Sequence, residues 1–334
     1  MTLPPQGFHL TPEQNKSPPQ AAAKDPLDPS LVMLPTVERA ARTSNRIAGT
    51  IFRHSTWQPD RDRVEAALHD PKIRGPRFWR FRDCGSQAVV FKTDEDPPRY
   101  KIACTRCHDR FCLPCSQDRA RLIVANMRKQ IPYQTTRFIT LTLKHSDEPL
   151  SQQLDRLYVG FAHLRRRTFW KGLVTGGVAF LELKLSSSDK RWHPHLHILV
   201  RGKYVPHQIL SDAWLQVTGD SYIVDVRLAK TPDQVYSYLA KYVTKGWGPG
   251  VYRNYERLTE AIIALKGRKL LLCFGDLAHA KLLEPPTDET WIELGTLHEI
   301  IELSRRKIHW AMLAYSNLFT RDFTPPLDRV PPDE

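Results

Sequence analysis

Residues 192–200 read Trp-His-Pro-His-Leu-His-Ile-Leu-Val, three imidazoles in strict alternation. An extended strand sends every second side chain to one face, so His193, His195 and His197 share a side while Leu196 and Ile198 share the other. A helix would scatter both sets. The segment therefore demands a sheet with one apolar face and one face carrying chemistry. Pro194 has no N–H for a ladder and belongs near a strand start, which leaves His195 and His197 on the regular backbone. Two imidazoles held this way suit a divalent ion that keeps positions open for oxygen ligands and substrate. A third protein ligand must come from elsewhere. Glu182, in AFLELKL (179–185), lies in a run that pairs with the histidine strand across the loop SSSDKR.

The flanking pattern sets the kind of sheet. RFITLTLK (137–144) alternates, with Phe138, Thr140 and Thr142 on one face and Ile139, Leu141 and Leu143 on the other. Between 150 and 170, Leu154, Leu157, Tyr158, Phe161, Leu164 and Thr168 recur at helical spacing, and Arg165, Arg166 and Arg167 form the basic end. Strands are predicted over 177–186, 195–202 and 221–228, with helices near 207–217 and 232–246. Two consecutive strands without an intervening helix make a hairpin, so the order fits an α+β domain on an antiparallel sheet with flanking helices. Short helices are expected over 36–75. Residues 1–35 hold 8 of the 26 prolines and read as a flexible arm. The expected division is 1–75 arm and short helices, 76–135 a small cysteine-rich module, 136–250 the histidine domain and 251–334 a helical extension. Cys273, alone in KLLLCFG, reads as a core residue.

Five of the six cysteines lie between 84 and 115, and CTRCHDRFCLPC contains two C-x2-C pairs four residues apart. Such pairs let two thiolates reach one ion from successive bends of the backbone, which suits a closed, structural Zn2+ site. Four ligands are drawn from Cys84, Cys104, Cys107, Cys112 and Cys115; the four-residue spacer makes an all-local site tight, so Cys84 can replace Cys104, with His108 a weaker substitute.

Lys plus Arg number 49 against 36 Asp plus Glu, a formal charge of +13. Residues 284–334 carry ten acidic and five basic residues, so the positive excess lies with the motifs upstream, including eight Lys or Arg against two Asp over 99–129. This charge points to an anionic partner such as nucleic acid. No apolar run approaches the roughly 18 residues of a membrane span, and MTLPPQGFHLTPEQ lacks the layout of a signal peptide. A cytoplasmic protein without a membrane partner is expected.

VYSYLAKYVTKG places Tyr238 and Tyr242 four apart on a predicted helix, on one face, with Lys241 and Lys245 beside them. Those lysines can hold a phosphate and favour phenolate character. FITLTLK, HPHLHILV and YLAKYVTK, in that order, resemble the three motifs of HUH-family rolling-circle replication initiators. CHDRFCLPC is similar to the cysteine-rich stretch before the first motif in many plasmid Rep proteins, and LKGRKLLLCFG resembles a stretch after the catalytic helix in some of them. The resemblance spans roughly 80–280. It implies an HUH endonuclease domain with a ferredoxin- or RRM-like core, His195 and His197 binding Mg2+ or Mn2+, and Tyr242 as nucleophile. Many single-tyrosine plasmid initiators carry Glu four residues before the nucleophile. Tyr238 stands there instead, which resembles the two-tyrosine initiators of small phages and the rolling-circle transposases. The implied substrate is single-stranded origin DNA. With no Walker A run, unwinding falls to a host helicase, ahead of a host polymerase. Two other readings remain open at this point, a two-tyrosine transposase and a non-enzymatic zinc-dependent DNA-binding regulator. A zinc hydrolase ranks last because no HExxH helix occurs.

Overall fold

The computed structural model of the chain describes residues 36–130, 136–186, 189–229, 231, 234, 235, 238, 247–285 and 290–319. The proline-rich arm, Lys241, Tyr242 and Lys245, and the end of the acidic tail lie outside the described residues. The elements, in chain order, are α1 (Thr36–His54), α2 (Gln58–His69), α3 (Pro76–Arg82), β1 (Val89–Lys92), β2 (Tyr100–Ala103), α4 (Leu113–Gln130) and β3 (Thr136–Thr142). They continue with α5 (Leu150–Arg166), α6 (Thr168–Leu173), β4 (Val174–Leu185), β5 (Trp192–Gly202), α7 (His207–Thr218) and β6 (Val224–Ala229). The last are α8 (Pro249–Arg253), α9 (Tyr255–Ala264), β7 (Leu271–Gly275), β8 (Ile292–Thr296), α10 (Leu297–Arg305) and α11 (His309–Phe319).

Five strands form the main sheet in the order β6-β3-β5-β4-β7, each neighbouring pair antiparallel. The predicted α+β architecture is observed, and β4 and β5 are the expected hairpin. β5 begins at Trp192, earlier than Pro194 suggested. Pairing with β3 stops at His195, so the proline sits where one flank of β5 needs no ladder N–H.

One face of this sheet buries Ile139, Leu141, Leu196 and Ile198 against Leu154, Leu157, Phe161 and Leu164 of α5 and Leu210 and Trp214 of α7. At roughly 2 kcal/mol for each large apolar side chain removed from water, this stripe holds the helices in place. Trp214 donates its indole N–H to the Thr142 carbonyl at 2.9 Å. The helix expected to run to Trp170 stops at Arg166, because Arg167 is extended and α6 starts afresh. The 36–75 region also departs from expectation, since α1 is a single helix of 19 residues.

The opposite face is divided. At one end Phe138, Val178, Phe180 and Leu199 pack under Ile123 and Met127 of α4. The other end carries the polar residues of β3, β4 and β5. Half-buried Cys273 packs at the edge of this second core.

A second antiparallel sheet, β2-β1-β8, joins the cysteine segment to the C-terminal segment: Val90 opposes both Ile102 and Gly295. It packs on α10 and α11 through Val90, Leu297, Ile300, Ala314 and Leu318. The cysteine segment is thus interleaved with residues from beyond 251, and Cys84, Cys107, Cys112 and Cys115 belong to the same buried cluster as the main sheet.

Candidate functional site

The alternation of β5 is matched residue by residue on both flanks. Thr142 and Glu182 lie opposite His195, and Thr140 and Phe180 lie opposite His197. Glu182 therefore arrives at the histidine strand by register. Its carboxylate Oε2 is 2.7 Å from His197 Nε2, both side chains being buried, and the Lys184 ammonium lies 3.5 Å from the same oxygen.

Each imidazole is oriented through Nδ1. His195 Nδ1 is 3.1 Å from the Thr142 hydroxyl, and His197 Nδ1 is 3.3 Å from the Thr140 hydroxyl. The Tyr238 hydroxyl also reaches His197 Nδ1, at 3.1 Å, while the Tyr238 ring stacks on Phe138 with centroids 3.8 Å apart. With Glu182 ionised, His197 Nε2 donates to it. Nδ1 of a neutral ring then accepts from the tyrosine. One phenol is thereby linked through an imidazole to a carboxylate. The threonines were not singled out from sequence, although their TLT alternation opposite HLH was the available signal.

His195 Nε2 is buried and has no hydrogen-bond partner among the described residues. Burial first, and the neighbouring His193 second, push this imidazole down to about 3, so it is neutral at neutral pH. If Nδ1 donates to Thr142, Nε2 offers a lone pair into the site, the arrangement of a metal-ligating histidine with its outer partner. The 2.7 Å between Glu182 and His197 donors also resembles the roughly 3 Å edge of an octahedron with 2.1 Å bonds. The donor set, two imidazole nitrogens and a carboxylate oxygen, is of the types a hard or borderline divalent ion takes. It is more open than the cysteine cluster, which among the described residues is the only group of three or more such side chains with all donor atoms within 4.8 Å. The histidine row continues outward, His193 lying 4.2 Å from His195 and 4.1 Å from His145 between ring centroids.

Cys84, Cys107, Cys112 and Cys115 form that tighter cluster, all four buried. The Sγ separations are 3.9 Å for 84–112 and 3.6 Å for both 84–115 and 107–115. A tetrahedron with Zn–S bonds of about 2.3 Å has edges of about 3.8 Å, so four thiolates here fit one Zn2+. Hydrogen bonds from Cys107 and Cys112 bring the Cys115 thiol down to about 7. Cys104 is excluded from the cluster. It continues the alternation of Tyr100 and Ile102 and packs with them against the second sheet's core.

Cys84 is brought in by close backbone approach. The Gly85 amide donates to the Thr105 carbonyl and the Thr105 amide to Ser86, both at 2.8 Å. A Cβ on Gly49 would collide with the Gly85 carbonyl, and Gly85 itself has φ of +95°. This contact seats α1 on the cluster. Arg53 then donates to Cys115 Sγ at 3.3 Å and to Asp118 at 2.7 Å. Trp57 donates to His54 Nδ1, so His54 Nε2 carries the proton and donates to the Cys84 carbonyl at 3.0 Å. Neither Arg53 nor His54 was identifiable from spacing.

Between the cluster and β4 lies a cavity of about 350 Å3, lined by His108, Arg110, Arg119, Glu182, Lys184 and Trp247 among others. Cations line it on both sides and Glu182 marks its junction with the histidines. Of the arginine triplet, Arg166 and Arg167 are exposed, whereas Arg165 lies over the Phe161 and Phe274 rings at 4.9 and 5.3 Å. Arg165 is a packing residue.

The fold and site define a class: a mixed α+β protein whose antiparallel sheet bears a histidine–glutamate–tyrosine constellation beside a four-cysteine metal-type cluster. Comparison with known proteins narrows it. The chain is 30% identical to "Protein rep" of Staphylococcus aureus, over 44% of this chain and 72% of that protein. It is 27% identical to "Protein rep" of Bacillus amyloliquefaciens, over 47% of this chain and 51% of the relative. A Bacillus sp. "Protein rep" is 28% identical over 43% of this chain and 53% of its own length. The chain belongs to the Rep family of plasmid replication proteins. It spans about half the length of the two Bacillus relatives. No family model matches, and no solved structure does. Among the described residues no helix is long and apolar enough to cross a membrane.

Proposed function

We propose that this Rep protein initiates replication as an HUH nickase of the two-tyrosine type, acting on single-stranded origin DNA. The observation that carries this reading is the Tyr238 hydroxyl 3.1 Å from His197, whose other nitrogen meets Glu182 at 2.7 Å. A tyrosine delivered to paired histidines on a sheet face fits attack on a phosphodiester better than the packing role aromatic residues usually have.

In this reading Tyr242, four residues beyond Tyr238, matches the initiating nucleophile and Tyr238 serves the second transfer. The attacking phenolic oxygen bonds to phosphorus as the P–O3′ bond breaks. The 5′ phosphate becomes a phosphotyrosine and the departing oxygen, once protonated, is the free 3′-OH that primes synthesis. With an ion on its Nε2, His197 would carry the ring proton on Nδ1 and donate it as a hydrogen bond to the Tyr238 phenolic oxygen, orienting that hydroxyl. An Mg2+ or Mn2+ ion held by His195, His197 and Glu182 would polarise the scissile phosphate. Lys241 and Lys245 would hold that phosphate, and the cavity beside Glu182 has room for a flanking nucleotide. Host helicase and polymerase would extend the primer. The four-cysteine site would hold structural Zn2+. In this reading 136–250 is the nickase region, and the segments 76–135 and 251–334, which share the second sheet, support it.

The test is an origin oligonucleotide incubated with the protein and Mn2+, followed by denaturing electrophoresis for protein attached to the 5′ end of the downstream fragment. Tyr238→Phe combined with Tyr242→Phe should reduce the adduct by at least about a thousandfold. An adduct that survives the double substitution would overturn the nucleophile assignment.

A further inference from the structure

The cysteine turn is a wall shared by two cavities. His108, Asp109 and Arg110, between Cys107 and Cys112, line both of them. On the side of β4 the Trp247 indole donates to the Arg110 carbonyl at 3.0 Å, and both residues line the cavity beside Glu182. Against α3 and the end of α9 lies a second cavity of about 240 Å3, to which Arg77, Arg80 and Lys266 contribute with the turn.

Four permanent cations, Arg77, Arg80, Arg110 and Lys266, line this second cavity against one carboxylate, Asp109. Asp109 is already committed: Arg77 donates to both of its oxygens, at 2.6 and 3.1 Å, and the Phe111 amide donates to it at 2.9 Å. Arg110 donates to the Leu265 and Arg268 carbonyls at 2.7 and 3.1 Å, and Arg77 to Ile262 at 3.5 Å, so both cap the C-terminal end of α9. Capping is an ordinary role for such arginines, and magnitudes decide how much charge it leaves over. A helix end carries about −0.5; together with the one carboxylate this leaves an excess of roughly +2.5. Zinc with four thiolates has a formal charge of about −2. Beside the cluster, however, Arg53, Arg106 and Arg121 share the single carboxylate of Asp118, which offsets that charge. The excess therefore stays with the cavity. Arg80 and Lys266 carry most of it, for both are exposed and neither forms an ion pair among the described residues.

We propose that this second cavity is a phosphate site that receives the DNA backbone, a contact distinct from the cavity beside Glu182 and joined to it by the cysteine turn. It rests on the reading above only in taking DNA as the ligand. Guanidinium and ammonium groups around a concave surface hold a phosphodiester by charge-assisted hydrogen bonds. Arg80 and Lys266 have no carboxylate to release first. A strand crossing the turn from one cavity to the other is fixed on both sides of it, and such backbone contacts set the position of DNA without reading its bases. The four-cysteine cluster then shapes the wall over which the strand runs.

The test measures binding of a fluorescein-labelled single-stranded oligonucleotide of mixed sequence to the full-length, zinc-loaded protein across a salt series. Arg80→Ala combined with Lys266→Ala should weaken binding about tenfold and reduce the salt slope by about 0.7, the value of one phosphate on a single strand. Zinc content and thermal midpoint should not change. Lys171→Ala combined with Lys203→Ala removes the same charge from exposed positions that line neither cavity, and should leave the slope as it is. An unchanged slope in the Arg80 and Lys266 variant, or an equal loss in both double variants, would overturn the proposal. Calorimetric titration with inorganic phosphate separates the two sources of the ligand. Free phosphate that binds through Arg80 and Lys266 while DNA affinity is indifferent to them would overturn the DNA assignment. A wild-type protein that binds the oligonucleotide yet forms no adduct on origin DNA would instead sink the nickase reading, with the binding comparison still deciding the cavity.

Discussion

The cysteine cluster and the histidine face are both built from groups that bind metals, yet they are assembled in opposite ways. Three of the four cysteines come from one nine-residue segment that runs into the first turn of α4, and the sulfurs sit at close to the edge lengths of a tetrahedron. The histidine face takes one residue type from each of three strands, His from β5, Thr from β3 and Glu from β4, and stays more open. A closed sulfur set suits a structural ion, whereas an open nitrogen and oxygen set leaves room for substrate. The difference teaches that the two sites should fail differently: losing a cysteine should damage the fold, and losing a histidine-face group should damage chemistry first.

The sharpest way to break this contrast is at the cysteines. Cys112→Ser should cost about 4 kcal/mol or more, lowering the thermal midpoint by about 10 °C, while Cys104→Ser, outside the cluster, should cost less than about 1 kcal/mol. Calorimetry of the two variants with zinc quantification checks it. Equal losses would mean that the four sulfurs named here are not the ligand set.

A middle-sized effect is expected where the regions are joined. Glu260 on α9 accepts from the Leu150 amide at 2.8 Å, from Trp192 at the head of the histidine strand at 2.6 Å and from Arg257 at 2.9 Å. Burial would raise its carboxyl, but the Leu150 amide, Trp192 and Arg257 outweigh burial and hold it below its ordinary value of 4.5. A depressed carboxyl contributes stability that is fully present above the unfolded value and is lost as pH falls through the folded one. Glu260→Gln should therefore cost about 2 kcal/mol at neutral pH, and its urea unfolding curves should converge with those of the wild type in acid. A constant difference down to about pH 3 would refute the ionic role.

The smallest effect separates members of the arginine triplet. Arg166→Ala or Arg167→Ala should each reduce the salt slope of DNA binding by about 1 without changing stability. Arg165→Ala should instead cost about 1 kcal/mol of stability through its two aromatic contacts, and leave the slope alone. Filter binding across a salt series and denaturant titration distinguish the two outcomes.

Much of this was legible before the structure. The alternation of His193, His195 and His197, the apolar stripe of α5 and the succession of strands and helices along 137–228 needed only periods of two and 3.6 residues, which are properties of neighbouring positions. Tyr238 could be assigned a face but not a partner. Arg165 could not be told from Arg166 and Arg167, because one residue of helical rotation decides which lies over Phe161 and Phe274.

The sequence by itself determined that a strand would carry imidazoles on one side, that clustered cysteines would share a site, and that an antiparallel α+β fold would hold the imidazoles. These follow from local spacing. Only the tertiary structure decided that Cys84 replaces Cys104, that Glu182 falls opposite His195, and that Trp247 docks on the cysteine turn. Strand register and the approach of distant backbone depend on how whole surfaces pack, and no short window of residues contains that information.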